Sequence, residues 1–299
     1  MRAAVVTAFG GPEAVEIVDV AVPEPGAGQV RIKVAAGALN PVDAAVRAGF
    51  FGGAGKTLGL GWDVAGTVDA VGVAAAWQVG DEVVALVPGV AEPLGAHAEY
   101  VVVDAGAVAK APETVDAVHA GTLPLNALTA AQALDLLDLA PGASLLVTGA
   151  AGAVGGFAVA LAAHRGITVT GLARAGDEEL VRSLGAARFT AEGAEGVAPG
   201  AVDAVLDAAV LGERALEWVR DGGAYVGVMP GRQPGSVWGV RTGAVEVRAD
   251  GARLGELVRL VEEGVLRLRV AETYALEDAG KAHARMAEGG VRGRLVLVP

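Results

Sequence analysis

Short apolar segments separated by glycine and proline dominate the first 113 residues. Turn signals such as Gly10-Gly11-Pro12 and Pro23-Glu24-Pro25-Gly26 lie between them. Apolar residues that alternate over four to eight positions are typical of β-strands with one buried face. The predicted strands are Ala3–Thr7, Ala14–Val20, Gln29–Ala36, Ala65–Val71, Val83–Leu86 and Ala98–Val103. Close spacing and turn chemistry together predict an antiparallel β-domain, of the kind that closes into a small barrel.

Beyond residue 113 the pattern becomes helical, and strands then alternate with helices. The longer early helix is predicted at Asn126–Leu139. The strands that follow are predicted at Leu145–Thr148, Thr168–Leu172, Val202–Asp207, Ala224–Val228 and Ala244–Val247. The helices between them are predicted at Val154–Arg165, Asp177–Leu184 and Gly212–Arg220. This alternation predicts βαβ units, and therefore a doubly wound parallel sheet with helices on both faces.

The end of the chain differs again. Leu254–Glu263 has the pattern of an amphipathic helix, and Arg294–Val298 is a very apolar strand. We expect this last strand to return to the sheet of the first domain. The predicted domains are therefore a β-rich domain at residues 1–115, an inserted doubly wound domain at 116–262, and a return segment of the first domain at 263–299.

Composition restricts the chemistry. The 299 residues include 23 Lys+Arg, 35 Asp+Glu and no Cys, for a net charge of −12. This charge argues against the broad basic surface that nucleic acids or anionic membranes require. Without Cys there are no disulfides, thiolate nucleophiles or Cys-ligated metal sites. Because the N-terminal apolar run, Ala3 to Ala8, is too short for a signal peptide, we expect a cytoplasmic protein.

One uncharged stretch raises the question of a membrane helix, since the mean hydropathy of the chain is +0.48. Leu139–Ala163 contains Pro141 near its start and five glycines. A spanning helix needs about 20 predominantly apolar residues in continuous helix. A strand, a glycine turn and a helix explain this stretch better, so we expect no membrane segment.

The strongest motif lies within this stretch. The strand Leu145–Thr148 is followed by a glycine-rich turn and a helix, in the order of a dinucleotide-binding fingerprint with alanine at its first glycine position. The candidate cofactor-binding residues are Gly149, Ala150, Ala151, Gly152, Ala153, Val154 and Gly155. Gly152 lets the backbone approach a pyrophosphate, Gly155 lets helix and strand pack closely, and the helix N-terminus favours an anion. The alternative is a tight turn without a ligand.

The choice between NADH and NADPH depends on the end of the next strand. An acidic residue there normally binds the ribose hydroxyls of NAD. This chain instead has Arg174, whose guanidinium suits a 2′-phosphate. We therefore predict NADPH, with an ordinary surface arginine as the alternative. Gly227 ends a later strand, where the switch-point rule places ligands, and is a further cofactor-binding candidate.

Several segments resemble the medium-chain dehydrogenase/reductase superfamily, and within it the zinc-free quinone oxidoreductases related to zeta-crystallin. The resemblance covers essentially the whole chain, and the order and spacing of its markers are specific. The markers include Asn40-Pro41-Val42-Asp43, Gly61-Trp62-Asp63-Val64-Ala65-Gly66, Val79-Gly80-Asp81-Glu82-Val83, Leu128-Thr129, the glycine loop and Gly293-Arg294-Leu295-Val296-Leu297. It implies a GroES-like β-domain that carries an inserted Rossmann domain.

The resemblance also implies a reaction without zinc. Where metal-dependent relatives have their zinc ligands, this chain has Asn40, Trp62-Asp63 and a residue near Leu125. Without a Lewis acid, alcohol oxidation has no evident driving group, whereas a quinone or enone delocalises the charge that develops on hydride transfer. The expected substrate is therefore a small quinone or conjugated carbonyl. The alternatives are an enoyl-thioester or biosynthetic enone reductase, and a non-catalytic NADPH-binding protein.

By the same resemblance, Asn40 lines the nicotinamide and substrate cleft and Thr129 contacts the nicotinamide side. Asp43 and Arg47 are expected to help shape the entrance of the cleft, and Trp62 either caps the cleft or packs. Asn40 can equally be a turn residue before Pro41.

Two further expectations concern the neighbourhood of this cleft. Relatives often have a Tyr where this chain has Ala45, so the aromatic wall is expected from Phe50, Phe51, Trp62 or residues elsewhere in the chain. We expect Asp63 to accept backbone hydrogen bonds or an ion pair rather than transfer a proton. A homodimer through an edge strand such as Ala244–Val247 is also expected.

Overall fold

Antiparallel strands form the first part of the molecule. The computed structural model describes residues 1–87, 89–90, 92–193 and 196–299. The early strands are β1 (Arg2–Val6), β2 (Glu16–Asp19), β3 (Gln29–Ala38), β4 (Leu58–Gly59), β5 (Asp63–Val71), β6 (Glu82–Leu86), β7 (Tyr100–Asp104) and β8 (Val108–Lys110). β3 pairs antiparallel with both β5 and β7, and its alternate valine and isoleucine side chains are buried.

The last strand of the chain returns to this β-structure, as its apolar sequence predicts. β15 (Val270–Ala275) pairs in parallel with β16 (Arg294–Val298), and β16 pairs antiparallel with β3. The resulting strand order is β15-β16-β3-β5-β6-β8.

A parallel sheet occupies the middle of the chain. Its strands are β9 (Ser144–Thr148), β10 (Thr168–Ala173), β11 (Arg188–Ala191), β12 (Val202–Asp207), β13 (Val219–Gly227) and β14 (Arg241–Ala244). The order is β11-β10-β9-β12-β13-β14, with every described pairing parallel. The chain proceeds outward in one direction from β9 and in the other from β12, so the topological switch point lies between these two strands. This confirms the predicted doubly wound sheet.

The helices lie between and after these strands. They are α1 (Pro41–Arg47), α2 (Ala117–Ala120), α3 (Pro124–Leu137), α4 (Ala153–His164), α5 (Glu178–Ser183), α6 (Glu213–Leu216), α7 (Gly251–Glu262) and α8 (Ala279–Glu288). No helix in the described ranges combines the length and the apolar character needed to cross a bilayer.

Two predicted elements differ from those observed. The helix predicted at Gly212–Arg220 ends at Leu216, and Arg220 belongs to β13. The reason is Val219, which is buried and pairs with Val202 of β12, so sheet pairing overrides the helical pattern. The strand predicted at Ala244–Val247 is found at Arg241–Ala244, where it forms an edge of the sheet.

The chain divides into two compact units at other positions than residues 115 and 262. The first unit is Met1–Leu125, Arg248–Glu262 and Leu268–Pro299, and the second is Asn126–Val247 and Glu263–Arg267. The first unit therefore includes α7, which contacts β8 and buries Leu254, Leu257, Val258 and Val261. The amphipathic pattern predicts this helix but not the sheet on which it packs.

Candidate active site

The glycine loop joins β9 to α4. Gly149 has a φ of +60°, and its carbonyl accepts a 2.8 Å hydrogen bond from the N–H of Gly152. Gly152 is exposed and is the N-cap residue of α4, which has no acidic side chain in its first turn. The first N–H groups of a helix have no partner within the helix and carry its positive dipole end. The loop therefore presents donors that suit a phosphate.

Close packing explains the last glycine of the loop. A Cβ added at Gly155 would lie 2.2 Å from the carbonyl oxygen of Gly149, whereas one at Gly152 would lie 3.0 Å from the same oxygen. Only glycine fits at position 155 without moving the backbone. This is the helix–strand packing that the motif predicts for its third glycine.

A glycine in the neighbouring strand β10 makes room for the alanine at the first glycine position of the motif. Ala150 is buried, and its N–H donates to the carbonyl of Leu172 in β10. A Cβ at Gly171 of β10 would lie 3.1 Å from the Cβ of Ala150 and 2.3 Å from Val181. Gly171 thus leaves the space that the methyl group of Ala150 occupies. The fingerprint alone does not predict this compensation.

Arg174 lies at the same edge of the sheet as the loop. Leu172 of β10 is level with Thr148, and Arg174 follows two residues later with its side chain exposed. Arg188 is also exposed but is level with Thr170, about 13 Å back along the strand direction. The structure therefore separates these two arginines, and of the two it is Arg174 that lies at the loop edge.

Gly227, a second predicted cofactor residue, lies at this edge as well. Asp207 of β12 is level with Thr148 on one side and with Gly227 on the other. Gly149 and Gly227 are therefore two strands apart, or about 10 Å. Predicted cofactor residues from three separate strands come together at the carboxyl edge of the sheet.

Asp207 is predicted from the sequence only as the last residue of a strand. Its side chain is fully buried, and Oδ1 accepts from the hydroxyl of Thr148 at 2.6 Å. Oδ2 accepts from the hydroxyl of Tyr225 at 2.7 Å and from the N–H of Gly212 at 2.8 Å. Burial, together with the hydrogen bond to this carboxylate, raises the pKa of Tyr225. An acidic residue that ends an apolar parallel strand is the signal that could have identified it.

A second buried network, in the first unit, contains Asn40. Its Nδ2 donates to Asp63 Oδ2 at 2.7 Å and to the carbonyl of Ala38 at 3.1 Å. Its Oδ1 accepts from Arg294 Nη2 at 2.7 Å, and the same nitrogen donates to the carbonyl of Leu39. Asn40 is also the N-cap residue of α1 and is completely buried. The turn role of Asn40 is therefore present in the structure, together with a tightly fixed amide.

Asp63 connects this network to α3. Its Oδ1 accepts from the N–H of Leu125 at 2.6 Å, while its Oδ2 accepts from Asn40. The expectation that Asp63 accepts a backbone hydrogen bond is confirmed. Burial raises its pKa to about 7, although both hydrogen bonds and the charge of Arg294 act in the opposite direction.

Asp43 and Arg47 are both buried, and their expected part in shaping an entrance stays a prediction. Asp43 accepts from the N–H groups of Asn40 and Gly61 at 2.7 and 2.8 Å, which explains its place at the third position of α1. Arg47 Nη1 lies 3.1 Å from His283 Nδ1 of α8. Burial, and then the charges of His97 and Arg47, lower the pKa of His283 to about 3, so the ring is neutral and accepts this hydrogen bond.

The remaining candidates are placed as follows. Trp62 is half-buried between Gly61 and Asp63, and Thr129 is 7% exposed, one helical turn beyond Leu125 in α3. Phe50 and Phe51 are 63% and 44% exposed, with their rings edge to face at 5.3 Å. That this exposed aromatic pair after α1 contributes an apolar wall stays a prediction.

Comparison with known proteins agrees with this architecture. The family model described as "Alcohol dehydrogenase GroES-like domain" matches residues 26–113, and the one described as "Zinc-binding dehydrogenase" matches residues 176–297. The NADPH-dependent alkenal/one oxidoreductase of Arabidopsis thaliana chloroplasts is 37% identical over 76% of this chain, which spans 62% of that protein. The quinone oxidoreductase of Pseudomonas aeruginosa is 30% identical over 98% of each chain. The structure of the quinone oxidoreductase from Coxiella burnetii superposes with a TM-score of 0.86 at 27% identity, covering 100% of this chain and 99% of the other.

A GroES-like domain combined with a Rossmann sheet defines the medium-chain dehydrogenase/reductase class of nicotinamide-dependent oxidoreductases. This chain belongs to that superfamily, in the branch that contains the quinone oxidoreductases and the alkenal/one oxidoreductases.

The name of one matching model implies a zinc ion, and the residues present do not fit one. Among the described residues, no three His, Asp or Glu side chains lie close enough to hold a metal. Asp63, which the resemblance aligns with a zinc ligand of metal-dependent relatives, already accepts hydrogen bonds from Asn40 and Leu125. The partners of its two oxygens are an amide NH2 and a backbone N–H, which are hydrogen-bond donors and not metal ligands. These atoms do not form the tetrahedral N/S donor set that zinc prefers.

Proposed function

We propose that this chain is a zinc-independent reductase that uses NADPH to transfer hydride to a small quinone or conjugated carbonyl. The observation that carries the proposal is the loop from Gly149 to Gly155, placed after β9 at the switch point of a doubly wound sheet. Ligands of such sheets bind at the carboxyl ends of the strands, beside the switch point. The names of the Arabidopsis and Pseudomonas relatives support the choice of acceptor.

Residues of the second unit hold the cofactor in this proposal. The first N–H groups of α4 bind the pyrophosphate, Gly152 permits its close approach, and Arg174 pairs with the 2′-phosphate of the adenosine ribose. NADPH supplies the hydride when bound. The chain has a net charge of −12, so this polyanionic ligand depends on local donors and not on the overall field.

Residues of the first unit prepare the acceptor side. Arg294 binds the oxygen of the Asn40 amide and Asp63 binds its nitrogen. Asp43 fixes the start of α1 by accepting from the backbone N–H of Asn40. Phe50 and Phe51 supply apolar surface for a ring or an alkenyl chain. Because a conjugated acceptor spreads the developing negative charge over its own π system, the proposal requires no Lewis acid.

The test is oxidation of NADPH with a panel of quinones, enals and enones, with and without a chelator. We expect turnover that the chelator leaves unchanged. Loss of activity on chelation would overturn zinc-independence. Turnover only with enoyl thioesters would overturn the proposed acceptor, and an absence of turnover with every acceptor would overturn the proposed reaction.

Cofactor preference has its own test in Arg174→Ala. Loss of one charge-assisted contact to a phosphate costs about 2 kcal/mol, which corresponds to a rise of about 30-fold in KM for NADPH. The KM for NADH is expected to stay the same, since NADH lacks the 2′-phosphate. Arg188→Ala is the matched control, because this arginine is also exposed but lies about 13 Å from the loop edge. Equal effects of the two variants, or an unchanged KM in Arg174→Ala, would contradict the assignment.

We further propose that the protein forms a homodimer through the edge of the parallel sheet. β14 has a paired neighbour only on its β13 side in the described sheet, and the exposed side chains of Val237 and Trp238 shortly precede it in the chain. Apolar side chains near an open strand edge favour pairing with a second copy. Light scattering after size-exclusion chromatography is expected to give twice the mass of the chain, and a monomer at micromolar concentration would contradict it.

A further inference from the structure

We propose that Asp207 and Thr148 position the cofactor loop by holding the two halves of the parallel sheet together at the floor of the switch-point crevice. This inference rests on the proposed binding of NADPH and concerns residues that do not themselves have to touch it. It would make Thr148 and Asp207 positioning residues rather than catalytic ones.

The pair lies where the two halves of the parallel sheet meet. Thr148 is the last residue of β9 and directly precedes Gly149, and Asp207 is the last residue of β12. The switch point lies between β9 and β12, so the 2.6 Å hydrogen bond between these side chains crosses it. Both residues are completely buried, beneath the loop rather than exposed beside it.

The hydroxyl of Thr148 connects both loops that leave this edge. It donates to Asp207 Oδ1 and accepts from the N–H of Ala209 at 3.0 Å. A Cβ added at Gly149 would lie 3.4 Å from backbone atoms of Ala208 and Ala209. The first residue of the glycine loop therefore rests on the segment that this hydroxyl holds.

The other oxygen of Asp207 extends the connection to the next strand and its loop. It accepts from Tyr225 of β13 and from the N–H of Gly212, where the chain has a φ of +62° before α6. One carboxylate thus fixes the ends of three adjacent strands, β9, β12 and β13. Removing a partner leaves a buried acceptor or donor unsatisfied, and this penalty favours movement of the loop.

The chain offers a matched control at the opposite end of the same two strands. Ser144 begins β9, and both its N–H and its hydroxyl donate to Asp203 Oδ2 of β12, at 2.8 and 2.7 Å. This is the same type of hydroxyl–carboxylate bond between the same strands, four residues away on each. Ser144→Ala therefore measures how far a weaker β9–β12 pairing by itself changes the Kd for NADPH.

The experiment compares Thr148→Val, Thr148→Ser and Ser144→Ala in the full chain, by the Kd for NADPH and by Tm. Valine keeps the shape of threonine and removes the hydroxyl, whereas serine keeps the hydroxyl. Small displacements of a binding group cost about 10- to 100-fold, so we expect the Kd of Thr148→Val to rise about tenfold or more. Thr148→Ser and Ser144→Ala should stay within about twofold of wild type, because neither disturbs the loop. The Tm is expected to fall in both Thr148→Val and Ser144→Ala.

Other outcomes separate the inference from the proposed function. Unchanged Kd in Thr148→Val, or equal rises in Thr148→Val and Ser144→Ala, would overturn the positioning role while the proposed function remained. Absence of NADPH binding by the wild type would overturn both. If Thr148→Val does not fold, Asp207→Asn takes its place under the same criteria, since one amide oxygen cannot satisfy both the Thr148 hydroxyl and the Gly212 N–H.

Discussion

Asp63 and His283 are expected to oppose each other in the pH dependence of stability. The pKa of Asp63 is raised by burial from 3.8 to about 7 in the native state. Between these values the native protein keeps a proton that the unfolded chain has lost. The stabilising contribution is therefore complete below pH 3.8 and is lost as pH rises to about 7. At about 1.4 kcal/mol per pH unit, the loss amounts to about 4 kcal/mol.

His283 has the opposite sign. Burial lowers its pKa from 6.5 to about 3, so over this interval the unfolded chain binds a proton that the native protein does not. The free energy of unfolding is then expected to fall as the solution is acidified below pH 6.5, by about 1.4 kcal/mol per pH unit. Between pH 4 and pH 6.5 the two contributions largely cancel in the wild type.

Single substitutions separate the two contributions. Asp63→Asn removes one titration, so its stability should fall on acidification about 1.4 kcal/mol per pH unit more steeply than that of the wild type. His283→Gln removes the other and should change the slope by the same amount in the opposite direction. The comparison depends on slopes, because Asp63→Asn also places an amide N–H group against the N–H of either Asn40 or Leu125 and lowers stability at every pH.

The measurement is urea unfolding of the protein at half-unit steps from pH 4 to pH 6.5. Trp62 and Trp77 of the first unit provide a fluorescence signal from the region that holds both groups. If Asp63→Asn and the wild type have parallel profiles, Asp63 does not retain its proton in the native state, which would contradict the prediction. If His283→Gln has the slope of the wild type, the imidazole of His283 does not stay neutral in the native protein over this pH range.

Two other substitutions test the loop and the buried network. Gly155→Ala should raise the Kd for NADPH at least about tenfold, because its Cβ would lie 2.2 Å from the Gly149 carbonyl. Gly243→Ala is the control, since nothing lies within 4 Å of the added Cβ, and equal Kd values would refute the packing argument. Arg294→Met should lower the free energy of unfolding by about 3 kcal/mol at pH 8, because Asp63 and Asp43 lose the half-buried cation that faces them. Urea unfolding should show this deficit shrinking as Asp63 binds a proton near pH 6, and a constant deficit would contradict the coupling.

Much of the fold can be predicted from the sequence, because strand and helix patterns alternate along the second half of the chain. Strands at 145–148, 168–172 and 202–207 were predicted within a residue or so, because fully buried parallel strands read as continuous apolar runs. The return of Arg294–Val298 to the first sheet was also predicted correctly. The helix predicted at Gly212–Arg220 was wrong beyond Leu216, since pairing of Val219 with Val202 depends on a strand seventeen residues earlier.

The glycine loop illustrates what the sequence determined by itself. Its spacing predicts a tight turn, an open helix N-terminus and close helix packing, all of which follow from local backbone geometry. The exclusion of disulfides, thiolate nucleophiles and Cys-ligated metal sites likewise follows from the sequence alone, because the chain contains no Cys.

Only the tertiary structure decided which distant side chains meet. Asp207 contacts Thr148 across 59 residues of chain, and Arg294 contacts Asn40 across 254. Local periodicity carries no information about such pairs, because strand order and register bring them together. For the same reason the sequence predicts Asn40 and Asp43 as candidate residues but does not predict that Asp43 is buried. The pairing of strands and the packing of α1 bury Asp43. A buried carboxylate can act only on the groups that it contacts inside the protein.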